Sequence, residues 1–124
     1  MINSVSRRWG RFLDEHDLFL CPTAPTSAPP SGVPDQDDER IASAGDWTDA
    51  VFARIPFTPL ANLTGQPAIS LPLGQAADGM PLGVMFTAQT LREDLLLAVG
   101  AALEQAMPWS GRRPAVDAGA PATV

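Results

Sequence analysis

Three observations predict an α/β fold for this chain, with about three strands, one hairpin and flanking helices. Short apolar runs at 17–22, 67–73 and 81–88 are bounded by proline and glycine, as buried strands commonly are. Stretches at 2–16 and 91–107 repeat apolar residues at helical spacing. Between the second and third runs lie only residues 74–80, with Gly74 to Gly79 as the turn. So short a link pairs those two strands as an antiparallel hairpin. The 124 residues hold at most one ordinary domain. A composition of 45% hydrophobic and 18% charged residues is that of a globular chain, not a disordered one.

The first element is an amphipathic helix over 2–16. Ile2, Val5, Trp9, Phe12 and Leu13 form its apolar stripe, with Arg7, Arg8, Arg11, Asp14 and Glu15 opposite. Asp17-Leu-Phe-Leu-Cys-Pro22 follows as a strand whose continuous apolar character predicts a sheet covered on both faces. Pro22 to Pro34 holds five prolines and reads as a stiff extended loop. Asp35 to Arg40 is a charge cluster suited to a solvated turn. Asp46 is positioned to cap a short helix carrying Trp47, Ala50, Val51 and Arg54, which ends before Pro56. Thr58-Pro59 offers a capping hydroxyl and an N-terminal proline for a one- or two-turn helix that Gly65 ends. In the last helix, Thr90 and Glu93 have capping-box spacing and Pro108 marks the stop. Leu95, Ala98, Val99, Ala102, Leu103 and Ala106 form its stripe, and Leu96 and Leu97 widen that stripe beyond one face. This helix therefore expects cover on more than one side. The residues from Ser110 to Val124 lack periodicity and read as a loose tail, which leaves 1–109 as the folded portion.

Charge narrows the possible partners. Eight Arg against fourteen Asp plus Glu give a net charge of −6. An acidic chain repels phosphate backbones and anionic lipid, so neither nucleic acid nor a membrane surface is an expected partner. No apolar run approaches the ~20 residues that span a bilayer. The single Cys21 has no internal disulfide partner, which suits a reducing cytoplasm. None of the eight basic residues is Lys, so this chain supplies no lysine base or Schiff-base amine.

No complete active site is legible in the residues. His16 and Cys21 are each the only residue of their kind, and a helix-end histidine with a buried thiol accounts for both. A third function reading, a small Cys–His hydrolase, rests on that pair alone. One His, one Cys and scattered carboxylates have no metal-ligand spacing. The Asp35–Glu39 cluster lacks the glycine and distal glutamate of a calcium loop. Ser70 has no flanking glycines of a nucleophile elbow and reads as a small strand residue that bonds locally. No metal and no cofactor is expected. Thr58, Asn62 and Gln66 recur every four residues and share one face of the short helix and its exit. They are either cap and turn residues or the hydrogen-bonding wall of a substrate pocket.

The order of the segments resembles a known family. Phe57-Thr-Pro-Leu-Ala-Asn-Leu-Thr-Gly-Gln-Pro-Ala-Ile-Ser-Leu-Pro-Leu-Gly74 is similar to the N-x-T-G-x-P-A-x-S-x-P-x-G segment of amidase-signature enzymes. Asp17 to Thr23 resembles their D-hydrophobic-P-T strand, and Asp78 to Phe86 their D-G-x-P-x-G-hydrophobic strand. Glu93-Asp94-Leu-Leu, Glu104 and Pro108-Trp109 resemble the closing helix, and Arg113-Pro114 the tail. Within the family the texture is nearest to bacterial amidases of the 6-aminohexanoate-cyclic-dimer hydrolase and aryl acylamidase kinds.

The resemblance implies the C-terminal part of a mixed-sheet amidase fold. Such enzymes hydrolyse amide carbon–nitrogen bonds with a Ser-Ser-Lys triad set in a Gly- and Ser-rich region. This chain has no Gly-Gly-Ser-Ser stretch and no lysine, so no catalytic residue carries over and the chain alone is expected to be inactive. The partner so implied is the N-terminal catalytic part of an amidase, or self-association, with a small amide substrate only in the full enzyme. The alternative is a non-catalytic interaction module that completes or partners such a piece.

Overall fold

The computed structural model describes residues 2–33 and 37–113. Pro34, Asp35 and Gln36, at the start of the predicted acidic turn, lie outside the described residues, as does the tail from Pro114 onward. The elements in order are α1 (Ile2–Glu15), β1 (Leu18–Pro22), α2 (Ala44–Phe52), α3 (Thr58–Thr64), β2 (Ala68–Gln75), β3 (Pro81–Ala88) and α4 (Glu93–Ala106). All seven segments predicted from the sequence are present. β2 runs two residues further than its apolar run, to Gln75.

The three strands form one antiparallel sheet in the order β1-β3-β2. β2 and β3 make the expected hairpin. Its turn is closed by the Ala76 N–H donating to Met80 (2.8 Å) and the Gly79 N–H to Ala76 (2.9 Å). Gly79 sits there at φ 85°, where a side chain would be strained. β1 returns to the far side of β3, with Leu18 opposite Ala88 and Pro22 opposite Val84.

Strand alternation divides the sheet into two faces. On one, Ile69, Leu71, Phe86 and Ala88 pack with Leu96, Val99 and Leu103 of α4. Gly100 of that helix is buried against Ile69, and a Cβ there would make ordinary contact with Ile69 Cδ1 at 3.5 Å. The other face carries Phe19, Cys21, Met85 and Thr87, with α1 packed beside it. Trp9 of α1 sets its ring edge-on to Phe19 at 4.9 Å and stacks on Phe12 at 5.2 Å. Gln89 fastens α1 to the end of β3 by donating to Asp14 Oδ1 at 2.7 Å.

Several local expectations are corrected. α2 is capped by Ser43, not Asp46: the Ser43 oxygen accepts from the Asp46 N–H at 3.1 Å, and its hydroxyl donates to the Asp46 carboxylate at 2.8 Å. Asp46 is thus the third residue of the helix, with its carboxylate bonded to the cap hydroxyl, and not the cap itself. Thr58 does not cap α3. Phe57 holds the cap position without a side-chain bond, Thr58 is already helical, and its neighbour Pro59 supplies the fixed φ. Thr90 does not cap α4 either; Leu91 turns to φ 64° and the helix begins after Arg92. That turn separates Thr90 from the first helical N–H groups. Gly65 ends α3 at φ 75°, as the sequence predicts.

The cover expected on both faces of β1 and around α4 is incomplete within this chain. Leu20 in β1 is 58% exposed and Leu97 in α4 is 67% exposed. A chain of this size has too few elements to bury both sides of every one.

Candidate functional site

The sheet face that bears Cys21 continues past the end of β1 to Thr23. The Thr23 N–H donates to the Gly83 carbonyl at 2.9 Å, which extends the β1–β3 pairing by one residue. At the same level, Thr23 Oγ1 and Ser70 Oγ lie 2.5 Å apart. Ser70 therefore does not bond locally; its partner is on the opposite edge strand of the sheet. The bond passes over β3 at Gly83, where a Cβ would lie 2.7 Å from Thr23 Oγ1 and 3.0 Å from Ser70 Oγ. Only glycine leaves room for the two hydroxyls to meet. Pro22-Thr23, Ser70 and Gly83 come from three separate motif segments, and the fold brings them to one spot.

Beside this hydroxyl pair is a cavity of about 250 Å³ lined by Thr23, Thr26, Ser27, Arg54, Pro81 and Gly83 among others. Arg54 is half-buried and anchored by its Nη1 donating to Ala50 at 2.9 Å. The lining offers hydroxyls and one cation, but no His, Cys or carboxylate. Among the described residues, this lining gives Thr23 no base to activate it, and the hydroxyl pair ties two strands together. A larger cavity of about 590 Å³ lies at the hairpin end, against Pro72, Gln75, Met80, Trp109 and Arg112. Arg112 closes its side by donating from Nη1 to the Pro72 carbonyl at 2.9 Å. Thr23 and Arg54 were not singled out from the sequence as site residues. Thr23 had a signal, in its Pro-Thr motif; Arg54 had none.

The sequence candidates occupy different surroundings. Thr58 is half-buried in the first turn of α3, Asn62 is exposed, and Gln66 is half-buried just beyond Gly65. None of the three lines either cavity. Among the described residues, the buried Gln66 Oε1 has no hydrogen-bond partner, and neither does the buried Trp9 Nε1. His16 packs on the Phe12 ring at 4.4 Å, while Cys21 lies opposite Met85 and is 6% exposed. Burial pushes the Cys21 thiol above its ordinary range, the reverse of what a nucleophilic cysteine requires. The sequence pair His16–Cys21 is not assembled into a catalytic unit. Among the described residues, no three His, Cys, Asp or Glu side chains are grouped to hold a metal ion. No helix of the described residues is long and apolar enough to cross a membrane.

Known proteins are similar to this chain in sequence and in fold. A Mycobacterium bovis protein that bears the amidase name AmiC is 41% identical over 109 residues, covering 88% of this chain and 22% of that protein. The 6-aminohexanoate-cyclic-dimer hydrolase of Paenarthrobacter ureafaciens is 44% identical over 102 residues, covering 79% of this chain and 20% of the hydrolase. A solved structure of 6-aminohexanoate cyclic dimer hydrolase superposes with a TM-score of 0.69 at 36% identity, over 92% of this chain and 24% of the other. The chain thus spans about a fifth of the length of the curated relatives it matches. The family model described as Amidase matches residues 1–97, and the chain belongs to the amidase family.

Proposed function

We propose that this chain acts as the C-terminal portion of an amidase that hydrolyses amide carbon–nitrogen bonds. The carrying observation is that its similarity to 6-aminohexanoate-cyclic-dimer hydrolase is confined to about a fifth of that enzyme. In this reading, residues 1–109 supply a three-stranded piece of the sheet with its closing helix, and the catalytic residues stand in the remaining part. The absence of lysine and a cavity lining that gives Thr23 no base both support a non-catalytic role for this segment. The reducing cytoplasm is the proposed compartment, in keeping with the single buried thiol of Cys21.

Thr58, Asn62 and Gln66 are proposed as pocket-wall residues of the whole enzyme. The support is the unpartnered, buried Gln66 Oε1, an acceptor that a substrate amide N–H or the rest of the fold would satisfy. The experiment joins this chain to the upstream four-fifths of the Paenarthrobacter enzyme in place of its own C-terminal part. The chimera should hydrolyse 6-aminohexanoate cyclic dimer, and the 124-residue chain alone should not. Turnover by the chain alone, abolished by a serine-directed reagent, would overturn the reading. In the chimera, Asn62→Ala or Gln66→Ala should change the ratio of kcat/KM between two amides severalfold, with Tm nearly constant.

A second reading is a non-catalytic module that partners a separate amidase piece. The exposed Leu20 and Leu97 favour it, because both leave apolar surface for a partner. Co-purification of the chain with a separately expressed upstream piece, without restored hydrolysis, distinguishes it from the first.

A further inference from the structure

The cavity at the hairpin end, about 590 Å³, has the size that holds a small organic ligand. The amidase reading gives it no task. Its walls are held in place by bonds already made within the chain. Trp109 packs against the core of Leu71, Phe86, Ala88 and Leu96 and also lines the cavity. A tight turn, closed by the Arg112 N–H donating to the Trp109 carbonyl at 2.9 Å, returns Arg112 to the same lining. There its Nη1 is pinned to the Pro72 carbonyl at 2.9 Å. The hairpin side is braced as well. Gln75 Nε2 donates to the Gly79 carbonyl at 2.9 Å, and the Met80 N–H donates to Asp78 Oδ1 at 3.1 Å.

Two kinds of surface meet in this space. Pro72, Met80, Pro81 and Trp109 are apolar. Against them stands the Arg112 guanidinium, which has five N–H donors in one plane and spends one on Pro72. The others have the fork geometry that meets both oxygens of a carboxylate at once. Arg113 adds a second positive charge to the lining, against the one carboxylate of Asp78. In a chain of net charge −6 this is a local reversal of sign. Among the described residues, the lining holds no His, Cys, Ser or Thr, so its chemistry is binding and not group transfer.

We propose that this cavity binds a small organic carboxylate, with the carboxylate on Arg112 and an apolar body against Trp109 and Met80. The site goes beyond the amidase reading and stands apart from it, since every wall belongs to this chain. A neutral amide of the same shape would give Arg112 no anion to bind. Inorganic phosphate would supply the charge and leave the apolar wall uncovered.

The test is an NMR titration of the 124-residue chain with benzoate, benzamide and inorganic phosphate. The Trp109 indole N–H, the Met80 methyl and the Gln75 side-chain amide report the site. Benzoate should shift all three with a Kd of about 1–10 mM, the range for so small a ligand. Benzamide and phosphate should each bind at least about tenfold more weakly, and Arg112→Gln should weaken benzoate by a similar factor. Because Arg112 also fastens Pro72, a second variant tests the charge without touching that bond. Asp78→Asn keeps an oxygen for the Met80 N–H and removes the carboxylate from the lining. It should tighten benzoate about two- to fivefold at low ionic strength. Benzamide or phosphate binding as tightly as benzoate would overturn the proposal. So would an Asp78→Asn chain that binds benzoate no better than the parent, or benzoate shifts centred on other residues. Benzoate binding that appears only in a chain ended at Arg113 would assign the cavity to residues 114–124 and also overturn it.

Discussion

Thr23 and Ser70 set their hydroxyl oxygens 2.5 Å apart although 47 residues separate them, and Gly83 lies between their strands. The contact ties β1 to β2 above the strand that each of them pairs with. It works only because β3 presents no side chain at that level.

Gly83→Ala should therefore destabilise the chain by about 1–3 kcal/mol, the range for forcing an extra carbon into a filled site. Its Cβ would stand 2.7 Å from Thr23 Oγ1. Urea unfolding measures the loss. The double variant Gly83→Ala/Thr23→Ala should regain part of it by removing that oxygen, whereas Gly83→Ala alone matching the parent would contradict the packing described.

At α2, the capping argument predicts unequal effects for two neighbouring polar residues. Ser43→Ala removes the acceptor for the Asp46 N–H and should cost that helix about 1 kcal/mol. Asp46→Asn keeps that bond and should cost less, about 0.5 kcal/mol, through the weaker interaction of a neutral side chain with the helix N-terminus. Amide exchange at Asp46 and Trp47 reads the helix itself, so the comparison holds even if α2 opens independently of the sheet.

The Asp38 carboxyl should titrate at about 2. Arg40 causes this by donating from Nε to Oδ1 at 2.9 Å and from Nη2 to Oδ2 at 2.5 Å, with its backbone N–H on Oδ1 at 3.0 Å. A carboxyl whose folded value is depressed favours the folded state above the unfolded value. That contribution fades as pH falls from about 4 to about 2. Carbon-detected NMR titration follows the group directly. Arg40→Ala should return it toward the ordinary Asp range, with little change in global stability because the pair is open to solvent.

For Cys21 the sign is opposite. Burial raises the thiol above its ordinary value of 9.0, so the folded state favours the neutral form. Stability should be unaffected below pH 9 and should fall as pH climbs past it. At pH 8, a soluble thiol reagent should label the native chain far more slowly than the urea-unfolded chain. Equal rates in the two states would show that the β1 face is open.

Element type and order were legible in the sequence because each depends on spacing within a few residues. The stripe of α1, the apolar runs of the strands, Gly65 at the end of α3 and Pro108 after α4 all act locally. Helix starts were less legible. Ser43 and Asp46 are both good caps, and only the backbone turn at Ser43, extended at φ −145°, decides between them. At α4 the left-handed turn of Leu91 displaces the start beyond the reach of Thr90. What only the tertiary structure decided is the meeting of distant segments. The insertion of β3 between β1 and β2 sets Thr23 against Ser70, makes Gly83 indispensable there, and leaves Leu20 bare on an open edge. Strand order and register are set by long-range pairing and by which surfaces find cover, and neither is encoded in the spacing of any one segment.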